Sequence, residues 1–496
     1  MSEIIIGKHT LESLTSGMYA DPYVVFREYI QNSTDAIDSA YKEGVLELDE
    51  DRIDITLIPA ERKIIIEDNG IGIHSAQVEK TLVSIGNSKK SSENERGFRG
   101  IGRLSGLSYC SKLIFETSYP NEPIETQIVF DAKMLSNLLL SESKTDVSVV
   151  DVLQKVYTIK KSVSSPDAHF FRVVMEGVSE LSGLNEFDEV YNYLSQNVPV
   201  PYSPDFSWGK DIVEKIKNEY IINEYHLFLS FGLQTVPVYK PYKNGFLVDK
   251  GKNLYDRITD ISIIKTHRSS GELTSIGWLA TTNYLGSIYD KAIKGIRVRK
   301  GNILIGDSQT LNVVFKDARF NGWSIGELFV IDPQLVPNAR RDNFEKNPAF
   351  FSFQEQLMTI ASTITKDIRS TSIKRNSGQN EKAKSKNDNN SNTLFIFQQG
   401  TGQAKIQNPL GYVEGITFSS QYDNQTVGFD KLDMLIGKTQ GVTEYKAINV
   451  STVLSKAEKK VLEQVFNVIS TTVDSDTGER LLSQILSSFE NKNNPI

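Results

Sequence analysis

Between residues 22 and 41 the apolar positions Val25, Tyr29, Ile30, Ile37 and Ala40 recur at roughly helical spacing. This predicts an amphipathic helix with Asp21 as its N-cap. Two short runs, 53–57 and 63–67, read as strands joined by a turn at Pro59 and Ala60. A helix at 76–82 and a glycine-rich stretch follow, and then 112–117, 126–130, 156–160 and 170–175 are strand-like again. The pattern predicts a mixed α/β domain, with helices on one face of a largely antiparallel sheet.

A second region runs from about 186 to 370. It opens with a helix ending at Asn197-Val-Pro-Val-Pro, continues with strands near 227–233 and 275–279, and has a strand and turn in 295–306. A helix at 353–368 closes it. From 374 to 392 apolar residues nearly vanish in favour of Asn, Lys and Ser, the composition of a solvated linker. The last hundred or so residues combine a short β-like part with two amphipathic helices. Leu454, Val461, Val465, Val468 and Ile469 share one face, and Leu481, Leu482, Ile485, Leu486 and Phe489 another. Those faces suit packing within the unit or dimerisation, and spacing does not choose between them. The expected division is 1–183, 184–373, a linker at 374–393, and a small α+β unit at 394–496.

Composition changes this picture little. A chain of 496 residues exceeds one core, and 39% hydrophobic with 24% charged residues is ordinary for a globular protein. A net charge of −7 argues against wholesale nucleic-acid binding, although a basic stretch near 291–300 keeps a local groove open. Cys110 is the one cysteine, which excludes an intrachain disulfide and points to a reducing, cytoplasmic setting. The five histidines lack zinc-ligand spacing, no apolar run is long enough for a bilayer, and the N-terminus has no signal-peptide core.

Three motifs carry chemistry. In Glu28-Tyr-Ile-Gln-Asn32-Ser-Thr-Asp35-Ala36 the polar residues fall at i, i+4 and i+7, on one helix face. Such a face is often only solvated, but Asn offers a neutral oxygen to a hard cation and Glu can deprotonate a water. Next, Asp68-Asn-Gly70-Ile-Gly72-Ile73 leaves a strand, where a carboxylate can accept from an exocyclic amine and glycines permit close backbone approach. Third, Gly97-Phe98-Arg99-Gly100-Ile101-Gly102 precedes a helical stretch and can expose successive backbone N–H groups to an anion. It lacks the Gly-Lys-[Ser/Thr] ending of a Walker loop and does not follow a first strand as a Rossmann fingerprint would.

In this order, Glu-x3-Asn-x2-Asp-Ala, Asp-x-Gly-x-Gly and Gly-x-x-Gly-x-Gly resemble the GHKL superfamily of gyrase, heat-shock protein 90, histidine kinases and MutL. The resemblance implies an α+β protein whose N-terminal domain is a Bergerat-fold α/β sandwich binding ATP and Mg2+. Glu28 would be the general base, Asn32 the magnesium ligand, and Asp68 the carboxylate reading adenine, with Gly70, Gly72 and Ile73 beside the base. Asp35 matches a helix position of more structural role. Gly97, Phe98, Arg99, Gly100, Ile101 and Gly102 would line the phosphates. Residues 82–96 resemble a mobile lid, with Asn87, Ser88 and Lys89 as phosphate-side contacts. One departure stands out: the Gly-Thr pair that commonly opens a late strand is replaced by Ala168-His169-Phe170-Phe171. Either another hydroxyl substitutes, or adenine recognition is looser.

The second region narrows the resemblance. Leu335-Val-Pro337-Asn338-Ala-Arg340-Arg341 is similar to the middle-domain loop of heat-shock protein 90, whose arginine reaches the γ-phosphate. Arg341 matches first and Arg340 second, against the plainer reading of surface pairs with Asp342 or Glu345. The implied function is a clamp-like ATPase cycling between ATP and ADP on a protein partner or client, homodimerisation being open. A slow nucleotide-dependent interaction switch and a MutL- or MORC-like DNA clamp are the alternatives, and no membrane role is implied.

Overall fold

The computed structural model describes residues 21–84, 102–140, 149–385, 393–399 and 442–449, with Val465, Leu481, Gln484 and Ile485 as isolated positions. Helix α1 (Val24–Lys42) buries Val25, Phe26, Tyr29, Ile30, Ile37 and Ala40 in a core shared with the strands behind it. Each large side chain fully buried there contributes about 1.5–3 kcal/mol. Asp21 is not its N-cap. That position is Tyr23, and Asp21 Oδ1 instead accepts the Tyr23 N–H at 3.0 Å. The chain enters α1 through a turn in which Asp21 and Pro22 offer their backbone carbonyls to Val24 and Val25, which displaces the carboxylate from the cap.

The strands β1 (Ile53–Ile58) and β2 (Lys63–Asp68) form a hairpin over a short turn at Pro59–Glu61. After α2 (Val78–Val83) come β3 (Lys112–Ser118), β4 (Ile124–Asp131), α3 (Ala132–Leu140), α4 (Val149–Val156), β5 (Tyr157–Val163) and β6 (Phe170–Glu176). Helices α5 (Phe187–Asn197) and α6 (Gly209–Ile216) lead to β7 (Leu227–Phe231) and β8 (Gln234–Pro237). These eight strands form one sheet in the order β5-β4-β3-β6-β2-β1-β7-β8. The expected strands are present, and the sheet is antiparallel except where β7 lies parallel to β1, Ile53 opposite Leu227. It therefore runs on past residue 183, where the composition places a boundary, because β1 would otherwise expose an edge.

A second sheet contains β9 (Gly245–Asp249), β10 (Leu254–His267), β11 (Leu273–Thr282), β12 (Gly295–Lys300), β13 (Ile303–Ile305) and β14 (Ile325–Val330). Its order is β13-β12-β14-β11-β10-β9, with β12 parallel to β14. Helix α7 (Pro348–Ser385) then buries Phe353, Leu357, Ala361, Ile364 and Ile368 along one stripe. It continues through 374–385, so that part of the expected linker is helical, since a lack of apolar residues does not itself bar a helix.

The molecule divides into two compact units, Met1–Phe246 with Arg257–Lys366, and Leu247–Asp256 with Asp367–Ile496. In the second, β15 (Thr393–Gln399) pairs antiparallel with β16 (Val442–Asn449), Thr393 opposite Asn449. The amphipathic helices expected at 454–469 and 481–489 lie, isolated positions apart, outside the described residues.

Within the first unit a buried ionic cluster ties α5 and the chain around β8 to the second sheet. Glu327 on β14 accepts from Lys240 Nζ at 3.0 Å, from Tyr202 Oη at 2.5 Å and from Arg299 Nε. Arg299 Nη2 also donates to the Gln196 carbonyl at the end of α5, 2.8 Å away. All three charged side chains are essentially sealed from water. Burial alone would push the Glu327 carboxyl up, but Arg299 and Lys240 hold it below the usual carboxylate range. Removing one partner strands a buried charge, which costs about 3–5 kcal/mol. Glu327→Gln is expected to destabilise the protein by that amount in denaturant unfolding. Glu219→Gln, which breaks a half-exposed pair with Lys265, should cost less than about 1 kcal/mol.

Candidate functional site

Helix α1 presents Glu28, Asn32 and Asp35 on one face, as the spacing requires. Glu28 Oε1 accepts from Arg27 Nη2 at 3.2 Å, and both side chains are largely buried. Its other oxygen abuts Gly102, where a Cβ would stand 2.1 Å from Glu28 Oε2, so any larger residue there would displace the Glu28 carboxylate. Gly102 opens a short 3-10 segment, Gly102–Ser108, which Tyr29 fastens to α1. The Tyr29 hydroxyl donates to the Arg103 carbonyl and accepts the Gly106 N–H, both at 3.1 Å. The end of the glycine-rich loop is thereby held against the Glu28 face.

Asp68 closes β2 and is buried. Its Oδ1 accepts the Gly70 N–H at 3.0 Å, while Oδ2 is buried with no hydrogen-bond partner. Gly72 has φ +68°, and a Cβ there would lie 1.9 Å from the Ser118 carbonyl oxygen. The turn is pinned by its neighbours. The Ile73 N–H donates to Thr117 Oγ1 at 2.9 Å, Thr117 in turn donates to the Phe170 carbonyl, and His169 Nδ1 donates to the Asn69 carbonyl at 3.0 Å. Register explains the grouping, since Asp68 and Thr117 both face Phe171 across β6. Thr117 on β3 thus holds the turn through its hydroxyl, and the Ser33 hydroxyl on α1 acts on the Asp68 carboxyl.

The Arg340–Arg341 segment is the tip of a loop closed by the Pro337–Phe344 bridge and by Asn338 Nδ2 donating to Asp342 Oδ1 at 2.6 Å. Arg341 sits at φ 57°, a left-handed conformation costly for a residue with a Cβ, and its carbonyl accepts the Gly306 N–H at 2.8 Å. Arg27 Nη2 reaches the Arg340 carbonyl at 3.4 Å. One guanidinium thus touches both Glu28 and the arginine loop, although the two lie more than three hundred residues apart in sequence.

Asn87, Ser88, Lys89, Gly97, Phe98, Arg99, Gly100 and Ile101 lie outside the described residues. The basic stretch at 291–300 is not a presented patch. Arg297 and Arg299 are buried, with Arg297 bonded to the Lys291 and Ala292 carbonyls, and Lys300 donates to the Asp332 carbonyl. Among the described residues no cluster of His, Cys, Asp and Glu is arranged to hold a metal, and no helix is long and apolar enough to cross a membrane.

Residues 20–156, which contain α1, the Asp68 turn and the Gly102 segment, match the family of histidine kinase-, DNA gyrase B- and HSP90-like ATPases. That stretch of the chain is similar to GHKL-type ATPase domains. Similar proteins include the chaperone protein HtpG of Buchnera aphidicola, 27% identical over 183 residues. The HtpG of Alkaliphilus metalliredigens is 25% identical over 259 residues, and that of Shouchella clausii is 30% identical over 118. These stretches take in 34%, 45% and 22% of this chain. They span 29%, 39% and 19% of the lengths of those relatives. The GHKL motifs point to Glu28, Asn32 and Asp68, but not to Arg27, Ser33, Thr117 or His169, whose roles arise from register and from contacts distant in sequence.

Burial raises the Asp68 carboxyl to about 7, with the Ser33 hydroxyl and the Gly70 N–H opposing and Glu67 adding to the rise. An unfolded aspartate titrates near 4. The folded state therefore binds this proton more tightly, and stability falls as pH rises from about 4 through 7 and levels beyond. Asp68→Asn, neutral throughout, is expected to raise the melting temperature over the parent at pH 8 and not at pH 4, in thermal unfolding without nucleotide. An equal gain at both pH values would contradict a buried charge here.

Proposed function

We propose that this protein binds and hydrolyses Mg-ATP and uses the cycle to clamp a protein partner, as a divergent relative of heat-shock protein 90. One observation carries the reading: Asp68 Oδ2 is buried without a partner, on the turn that packs against the Glu28 helix. Such an atom costs free energy until a donor meets it, and the exocyclic amine of adenine is a donor of the right kind. The Gly102–Glu28 contact brings the end of the glycine-rich loop beside a carboxylate.

In this reading Asp68 accepts from the base, and Gly70, Gly72 and Ile73 form the wall against it. Asn32 supplies an oxygen to magnesium, which retains waters for its remaining positions. Glu28 orients the attacking water and takes its proton. Arg341, with Arg340 as the alternative, neutralises charge on the γ-phosphate, acting from the second sheet on a site in the first. The C-terminal residues, from about 394, meet the partner or a second copy.

A second reading, a slow nucleotide-dependent switch, draws support from Arg27. Its guanidinium occupies one oxygen of Glu28, so proton abstraction awaits either release of that contact or use of the oxygen beside Gly102. Since Arg27 also holds the Arg340 carbonyl, movement of the arginine loop would alter both contacts at once.

Steady-state phosphate release and equilibrium ATP binding test these roles. Glu28→Ala is expected to keep ATP binding and lose turnover by a factor of about 10² to 10⁴; an active variant would remove the base assignment. Arg341→Ala should lower kcat by about 10³- to 10⁵-fold with nearly unchanged affinity, the range for loss of a transition-state arginine. If Arg340→Ala shows that loss and Arg341→Ala does not, the roles are exchanged.

A further inference from the structure

Arg103 follows Gly102 directly and is not explained by the fold. Its guanidinium is permanently charged at neutral pH, yet among the described residues no carboxylate faces it. Nη2 donates to the Ser84 carbonyl, at the end of α2, and Nε is buried with no hydrogen-bond partner. Burial pulls the group down to about 10, with no neighbouring charge contributing. A desolvated cation without a counter-charge is unfavourable, and one carbonyl compensates only part of the loss. Other arginines have carboxylates, Arg299 with Glu327, Arg172 with Glu67 and Glu116, and Arg268 with Asp332, while the buried Arg297 is compensated by three acceptors, Gln196 Oε1 and the Lys291 and Ala292 carbonyls, where Arg103 has one.

The backbone at Arg103 cannot easily carry the side chain elsewhere. Its carbonyl is held by Tyr29, the preceding residue is wedged against Glu28, and Gly106 is bonded to the same tyrosine hydroxyl. The backbone of Arg103 is thereby fixed one residue beyond the Gly102–Glu28 contact, with its guanidinium at the end of α2. Its planar fork of donors suits phosphate oxygens better than a lone carbonyl.

We infer that Arg103 is an anion-binding residue of the nucleotide site, its guanidinium taking the phosphate chain of the bound nucleotide. The inference rests on the nucleotide reading above, and adds to it a cationic contact outside the three motifs.

The test measures equilibrium binding of adenosine, AMP and ADP to the full chain, in parent, Arg103→Ala and Arg103→Gln proteins, with thermal unfolding of each as a control. Arg103→Ala is expected to weaken ADP by about 10- to 100-fold, the range for a lost hydrogen bond to a charged group, and to leave adenosine within about 2-fold. Glutamine can still donate to the Ser84 carbonyl but carries no charge, so Arg103→Gln should resemble alanine. Equal weakening of adenosine and ADP would reduce Arg103 to a packing role. Recovery by glutamine would reduce it to a tie to Ser84, and unchanged ADP binding would overturn the inference outright. If the parent binds none of the three ligands, the nucleotide reading falls first.

Discussion

Helix α1 has to satisfy three surroundings at once, and the rest of the first unit is arranged around that requirement. Its apolar side, from Val25 to Ala40, is sealed in the core behind the eight-stranded sheet. A second side carries Glu28, Asn32 and Asp35. A third, at i, i+4, i+7 and i+11, carries Arg27, Gln31, Thr34 and Asp38. Arg27 reaches the Arg340 carbonyl, and Asp38 accepts from the Tyr225 hydroxyl at 2.5 Å. A helix buried on so many sides cannot rotate or slide without breaking one set of contacts, so the polar face is held where Gly102 and the Asp68 turn meet it.

The price of this arrangement is polar groups buried without full compensation. Asp68 keeps an unpartnered oxygen and Arg103 an unpartnered Nε, one at the turn after β2 and one just past the glycine-rich loop. Their signs suit opposite ends of one ligand, a donor for the carboxylate and an anion for the guanidinium. By contrast the Glu327 cluster, equally buried, satisfies its charges internally with Arg299, Lys240 and Tyr202.

That joint also clarifies how the sheets are related. β7 and β8 extend the first sheet although they follow α5 and α6, and Gln196, Tyr202 and Lys240 on the intervening chain meet Arg299 and Glu327 of the second. The basic look of 291–300 comes largely from side chains engaged in this packing. A run of Arg and Lys reads alike in sequence whether it faces solvent or a buried glutamate. Burial decides.

Local pattern determined much by itself. Strand alternation placed β1 to β6 within a few residues, and the i, i+4, i+7 spacing put Glu28, Asn32 and Asp35 on one face, because both periodicities are properties of the backbone. Order and spacing of the motifs pointed to the ATPase family whose model matches residues 20–156. β14 escaped notice because all its residues are buried and leave no alternation, and the helical continuation of α7 because composition reports solvation rather than conformation. Only the tertiary structure decided that Thr117 holds the turn after β2, that Arg27 links Glu28 to the arginine loop, and that no carboxylate among the described residues faces Arg103. Each depends on which distant side chains share a dry space, and local sequence pattern does not encode that.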